Sequence, residues 1–407
     1  MKVLKLSALL CLLLSSCVAA NENNATLDDY ISEYKKAQFS YDYEKNEAES
    51  SKLRDSWIAP LQLNYNYSRS KPGQKELTNE NAAIKMDQPI FQSGGIYYGI
   101  KFANASKLFS DYSVDVAKRK MIKEAVATLM QIKQSTLREK AQELQIKNSE
   151  INLEQKKEQY LSGQLDSGFL DNAIIQRNIV TQALYDIQTT KEKLINKFQS
   201  LSDLEYQSVS IPHLEILNNE EFIAHNIVLK QNAAEIEKNG YYKDVTVAKY
   251  LPKVSLTAGY TWSNNEQFIS NTFIVKNELT YYNYGVKATM PIDINTFRDI
   301  ESVRVDYLKS QIVQKDKQRE LNALFEQVMH NIKNFDKKIA LSNENKTLYT
   351  KLLADTNELF TAGYKTEYDV DTLRNSLEIQ KIDGKVYEID KQLELLTLYE
   401  MYVNDGE

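Results

Sequence analysis

The chain has 407 residues, 26% of them charged, and a formal net charge of -6, a balance that offers no basic footprint for nucleic acid. Its cysteines, Cys11 and Cys17, lie within the first twenty residues, which excludes a disulfide framework and a thiol metal cluster from the body of the protein. Only 12 glycines and 6 prolines occur, against an average usage of roughly 7% and 5%, so the structural elements must run long and uninterrupted.

Residues 1–20 read as a secretory signal: Lys2 and Lys5 supply the positive start, and Leu9, Leu10, Leu12, Leu13 and Leu14 the apolar stretch. Two cleavage sites compete. Leu14-Ser15-Ser16-Cys17 fits a lipoprotein box with Cys17 as the lipidated residue, whereas Val18-Ala19-Ala20 suits ordinary signal peptidase. About nine residues from Cys17 to a helix start near Thr26 reach roughly 30 Å, and a helix to Trp57 rises roughly 48 Å, which favours cleavage after Ala20. Beyond the signal no apolar run reaches 18 residues, so any membrane span must be made of strands.

The breakers mark a duplication. Pro60 and Pro252 each open an alternating segment, Pro89 and Pro291 each close a second one, and Gly163 and Gly363 each interrupt the long helical stretch that follows. Around those glycines Tyr160-Leu161-Ser162-Gly163 matches Phe360-Thr361-Ala362-Gly363, and Leu170-Asp171 matches Val370-Asp371. This predicts one repeat over residues 21–210, a linker over 211–217 and a second repeat over 218–407. Strands are expected over about 60–69, 82–91, 252–263 and 280–291, and long helices over about 96–162, 168–203, 297–362 and 367–403.

In the first strand Leu61, Leu63, Tyr65 and Tyr67 alternate with Gln62, Asn64, Asn66 and Ser68, and its return strand sets Ile84, Met86 and Ile90 against Lys85 and Asp87. The second repeat does the same, with Leu256, Ala258, Tyr260 and Trp262 in one strand and Tyr282, Tyr284 and Val286 in the other. A soluble sandwich could also bury such a face, but four strands in a chain of this length have nothing else to pair with. Lipid tolerates no open strand edge, so the sheet must close with copies from other subunits. The glycine- and proline-free runs Ile100–Ser162 and Ile292–Ala362 would extend roughly 95 and 105 Å. Ala127, Met130, Leu137, Ala141, Leu144 and Ile151 fall on a 3,4 spacing, interrupted by Gln134 and Asn148, so these helices should pack as imperfect coiled coils.

At this point the chain resembles the outer-membrane efflux proteins, the TolC family. Asp87-Gln88-Pro89-Ile90-Phe91 followed by Gly94-Gly95 is similar to the family's exit from strand into the first long helix, and Met290-Pro291-Ile292-Asp293 is a second copy with Asn295-Thr296 in place of paired glycines. The resemblance implies a mostly α, internally duplicated fold with four strands per chain, assembled as a homotrimer with a twelve-stranded barrel in outer-membrane lipid and a twelve-helix periplasmic tunnel. It implies a passive exit duct, no enzyme and no cofactor, that works with a periplasmic adaptor and an inner-membrane transporter of RND or ABC type. Drug efflux, metal efflux and type I secretion stay open. Family tips narrow at aspartates that correspond to Asp369 and, one position displaced, Asp371. They are latched by a basic residue, here Lys365, against an acid, here Glu154, with Phe360 where a tyrosine can stand. The competing reading is a periplasmic coiled-coil adaptor without a pore. His213, His225 and His330 are scattered and fit no metal-ligand spacing.

Overall fold

The computed structural model describes residues 27–71, 76–268 and 273–403; residues 1–20 with Cys17 lie outside them. After a short 3-10 turn at Leu27–Tyr30, the elements are α1 (Glu33–Arg54), β1 (Gln62–Ser70), β2 (Leu77–Phe91), α2 (Gly95–Leu161) and α3 (Ser167–Leu201), then α4 (Asn219–Ala224), α5 (Ile227–Lys249), β3 (Lys253–Phe268), β4 (Ile274–Thr289), α6 (Thr296–Thr361) and α7 (Glu367–Tyr399). Helix, two strands, long helix, helix therefore occurs twice in one chain. None of the described helices is long and apolar enough to cross a membrane.

The long helices span 67 and 66 residues, each about 100 Å. Their buried residues concentrate near the middle. There Ile122, Val126, Leu129 and Ile132 of α2 meet Phe198 of α3, Leu321, Phe325, Val328 and Ile332 of α6, and Leu395, Leu396 and Leu398 of α7. Leu214 and Leu217 of the inter-repeat segment and Phe222 of α4 complete this core, with Phe222 stacked on Phe325 at 5.8 Å between ring centroids. The start and end of the second repeat also join through backbone here: Ile227 N–H donates to the Met401 carbonyl at 2.9 Å and Val403 N–H to the His225 carbonyl at 3.0 Å. Asn226, fully buried, caps α5 by accepting from the N–H groups of Val228 and Leu229.

From this waist α2 and α3 descend as one hairpin and α6 and α7 as another. The seam between the hairpins, α2 against α7, is polar at the positions that break the heptad series. Gln134 donates to Asp390 at 2.6 Å, and Asn375 donates to Asn148 at 2.8 Å. Those polar interruptions pair with each other across the seam instead of facing water.

Above the waist the chain forms one antiparallel sheet in the order β1-β2-β3-β4. Every strand is offset from its expected range, and the two return strands start well before it, at Leu77 and Ile274, which shortens the connecting loops. Pro89 does not close its strand: β2 runs to Phe91, with the ladder slipping between Pro89 and Phe91. A proline cannot donate to the ladder, so a bulge there spares the missing bond.

Candidate functional site

Pairing fixes the faces of the sheet. Ile84 stands opposite Tyr260 and Tyr260 opposite Tyr282, while on the other face Ala83 stands opposite Thr261 and Thr261 opposite Tyr281. Tyr282, Tyr284 and Val286 are 74%, 83% and 71% exposed, an apolar surface that a lone water-soluble chain would not leave bare. Ala83, Thr261 and Ser263 on the opposite face are buried at 6 to 7%. The sheet's principal partners are its own strands, so that burial comes from the sheet curling towards its polar side. β1 and β4 are left with one unpaired edge each within the chain.

The sheet is tied to the helices by the residues that the junction motif singled out. Pro60 precedes β1, Pro252 precedes β3 and Pro291 follows β4. Ser93 and Gly94 take successive positive φ values of 50° and 89°, turning the chain from β2 into α2. The Ser93 hydroxyl donates to the Pro252 carbonyl at 2.6 Å, which holds this left-handed serine in place and joins the two repeats at the foot of the sheet. Gly95 packs close, since a Cβ there would lie 3.2 Å from Gln92 Cβ and 3.4 Å from Ala248 Cβ. The second junction needs no glycine. Asp293 accepts from the Asn295 N–H at 2.8 Å and, through its carbonyl, from the Thr296 hydroxyl at 2.7 Å, so a side-chain turn starts α6 where the first repeat uses a glycine pair.

At the far end Gly163 and Gly363 adopt φ values of 74° and 82°, with open space around both. Each closes its long helix in the same way. Gln164 N–H donates to the Gln159 carbonyl and Tyr364 N–H to the Leu359 carbonyl, both at 2.8 Å. Asp166 then caps α3 through the Gly168 N–H, and Thr366 caps α7 in a reciprocal box with Asp369. The two tips differ only in the cap.

The structure places Asp369 in that box. Its carboxylate accepts from the Thr366 N–H at 3.0 Å and the Thr366 hydroxyl at 2.9 Å, with Lys365 at 3.8 Å. The backbone N–H of Thr366 is the main reason that its carboxyl is held below the ordinary range. Asp371 is paired to Arg374. Within one chain neither aspartate is an uncompensated charge.

Within the single chain Lys365 and Glu154 are paired to other residues. Lys365 lies by Asp369, and Glu154 is taken by Lys157 at 3.1 Å. Both are pairs within one helical region, three or four residues apart, and ordering two side chains on one turn costs less than ordering them across a gap. Phe360 has no hydroxyl to offer, and nothing joins it to Glu154. The contact across the hairpins is made by other residues: the Tyr368 hydroxyl donates to Glu158 at 3.2 Å and its pKa rises in consequence. Nothing in the sequence pointed to Tyr368, which sits among polar residues at an exposed helix start.

Residues 220–401 match the outer membrane efflux protein family. That range is the second repeat, from α4 to the end of α7, and the resemblance seen in the sequence is thereby borne out. The efflux-protein fold extends to the first repeat as well. The Campylobacter jejuni CmeC outer membrane channel is similar over 92% of this chain and 84% of its own, at a TM-score of 0.71 and 12% identity. The outer membrane protein VceC from Vibrio cholerae is similar over 93% and 95%, at 0.66 and 13%, and the Neisseria gonorrhoeae MtrE outer membrane channel, solved in its open state, over 92% and 87%, at 0.63 and 13%. No curated protein matches the chain by sequence.

Proposed function

We propose that this protein is the outer-membrane exit duct of a tripartite efflux pump or type I secretion system, a passive conduit from the periplasm to the exterior and not an enzyme. The observation that carries the reading is a four-stranded sheet with a bare tyrosine-rich face and two edges unpaired within the chain, joined to helices of about 100 Å. In lipid such edges have to be paired. Three copies joined β4 to β1 give a closed cylinder of twelve strands, polar inside and apolar outside, and their hairpins continue it as a helical tunnel into the periplasm.

Within this reading residues 1–20 are the export signal and the two repeats, 21–210 and 218–407, supply equal shares of the wall. Three α6–α7 tips meet at the entrance, with Asp369 and Asp371 around the mouth and a basic neighbour tempering each. Periplasmic adaptors and an inner-membrane transporter of RND or ABC type would engage this end and choose the cargo. A pore-less adaptor is not favoured, because it has no use for two hairpins and a lipid-facing sheet.

Fractionation, unboiled gel mobility and planar-bilayer recording test the reading together. The expected result is an outer-membrane trimer that inserts as a conducting channel. A monomer in the soluble periplasmic fraction that never conducts would overturn it.

A further inference from the structure

We propose that the lumen of the barrel prefers anions, through a basic belt over its lower half formed by Lys85 and Lys253 with Lys287; this rests on the channel reading above. Residues two apart on a strand share a face, so the pairing of Gln62 with Lys85, Lys85 with Gly259 and Gly259 with Asn283 places all four in one row of the polar, inner face. The charged residues of that face in the four strands are Lys85, Asp87, Lys253 and Lys287. Three lysines against one aspartate leave +2 per chain, within a protein whose total is -6.

The opposite face carries the other strand charges, Arg69, Glu80, Glu266, Lys276 and Glu278, all towards the outer end of the sheet, where they lean acidic. Charge of the two signs is thus sorted by face and by height. Lys287 spends its charge on Asp87, 3.4 Å away. Lys85 and Lys253 have no ion-pair partner among the described residues. Lys253 is the first residue of β3, next to the Pro252 carbonyl that Ser93 holds, so the belt begins where tunnel becomes barrel and extends up to Lys85, opposite Gly259. Its neighbours Ser255, Thr257, Gly259 and Gly285 are small, and the long lysine side chains reach into open lumen. A Cβ at Gly259 would lie 2.5 Å from Asn283 Oδ1, so the glycine gives Asn283 its room beside Lys85.

Three copies bring six unpaired ammonium groups to two rings about 20 Å apart along the strands, in a lumen with low-dielectric walls, which concentrates anions and repels cations. Acidic or phosphate-bearing cargo is the class that such a belt admits most readily.

Reversal potentials of the purified trimer across a KCl gradient in planar bilayers test this. The wild type is expected to pass chloride over potassium by a factor of about 3, rising at low salt as the screening length grows from about 10 Å at 0.1 M to about 30 Å at 0.01 M. Replacing Lys85→Gln and Lys253→Gln together should bring the ratio to about 1, and Lys85→Glu with Lys253→Glu should invert it. Lys85→Arg with Lys253→Arg, which keeps the charge, should preserve it, as should Glu80→Gln on the opposite face. A cation-preferring wild type, or a ratio that the glutamine and glutamate pairs leave where it was, overturns the belt while the channel stands. A wild type that inserts but never conducts removes the channel reading and the belt with it.

Discussion

At the waist the two repeats share one dry core, in which Leu129, Phe222 and Leu398 are wholly inaccessible to water. At the tip the hairpins meet through the Tyr368 hydroxyl on Glu158, an exposed hydrogen bond, and each aspartate answers to a basic residue three or four positions away, Asp369 to Lys365 in the turn and Asp371 to Arg374 in α7. Exposed polar pairs are worth about 0 to 1 kcal/mol, whereas removing a buried leucine side chain costs about 2 to 5 kcal/mol. The molecule is therefore fastened at its middle and loosely held at one end, which suits the proposed role of that end as an entrance.

Substitutions graded from waist to tip can break or sharpen that contrast. The largest effect is expected from Leu129→Ala, about 2 to 5 kcal/mol, read as a lower denaturant midpoint and a smaller yield of trimer. A loss under 1 kcal/mol would mean that the waist is not where the stability lies. Next come the tip glycines. Alanine at Gly163 or Gly363 has room but meets a left-handed backbone, at about 1 to 2 kcal/mol each, and the two should be alike because both turns close with the same bonds. Hydrogen exchange confined to the turn is the expected readout, and global unfolding would join tip to waist more tightly than the contacts allow.

Third is the cap of α7. Thr366→Ala should fray the first turn at about 1 kcal/mol. The Asp369 carboxyl is lowered in the folded chain, so its contribution is complete above the ordinary value of 3.8 and is lost as pH falls through the folded value. Exchange protection at the start of α7 should therefore drop only in strong acid and should be insensitive to acid in the Asp369→Asn variant. Smallest in stability is Tyr368→Phe, which deletes one oxygen and should leave the denaturant midpoint unchanged while raising open-channel conductance. Unchanged conductance would remove Tyr368 from the tip's closure. Lys365→Glu should act by repelling Asp369, not by freeing Glu154, so adding Glu154→Gln should alter nothing further.

Much of the frame was legible because it depends on pattern. Alternation at Leu61 to Ser68 and at Leu256 to Trp262 located strands, and the glycine-free runs located α2 and α6, since long-range periodicity survives whatever the partner does. Strand lengths were less so. The extra residues at the start of β2 and β4 mix Leu77, Ile274, Val275 and Leu279 with Asn79, Glu80, Asn277 and Glu278 and show no alternation to read. The tip pairs were hidden for a different reason. Glu154 has Lys157 three residues on in its own helix, and whether any residue of α7 reaches it instead depends on how the two helices are set against each other, which no spacing within α2 records. The second junction shows the same limit: Asp293 does with a side chain what Gly94 does with backbone freedom, and identity at the position conceals equivalence of the turn.

The bare margins of β1 and β4 also dictate the protein's early life. A newly exported single copy offers two rows of unsatisfied peptide groups beside a sheet rich in exposed tyrosine, and any passing strand will serve as a mate. On the proposed trimer reading, solitary copies cannot simply wait in the aqueous compartment at high concentration, so folding, the meeting of three chains and entry into the bilayer would have to be completed as one event or under the guard of a holding protein.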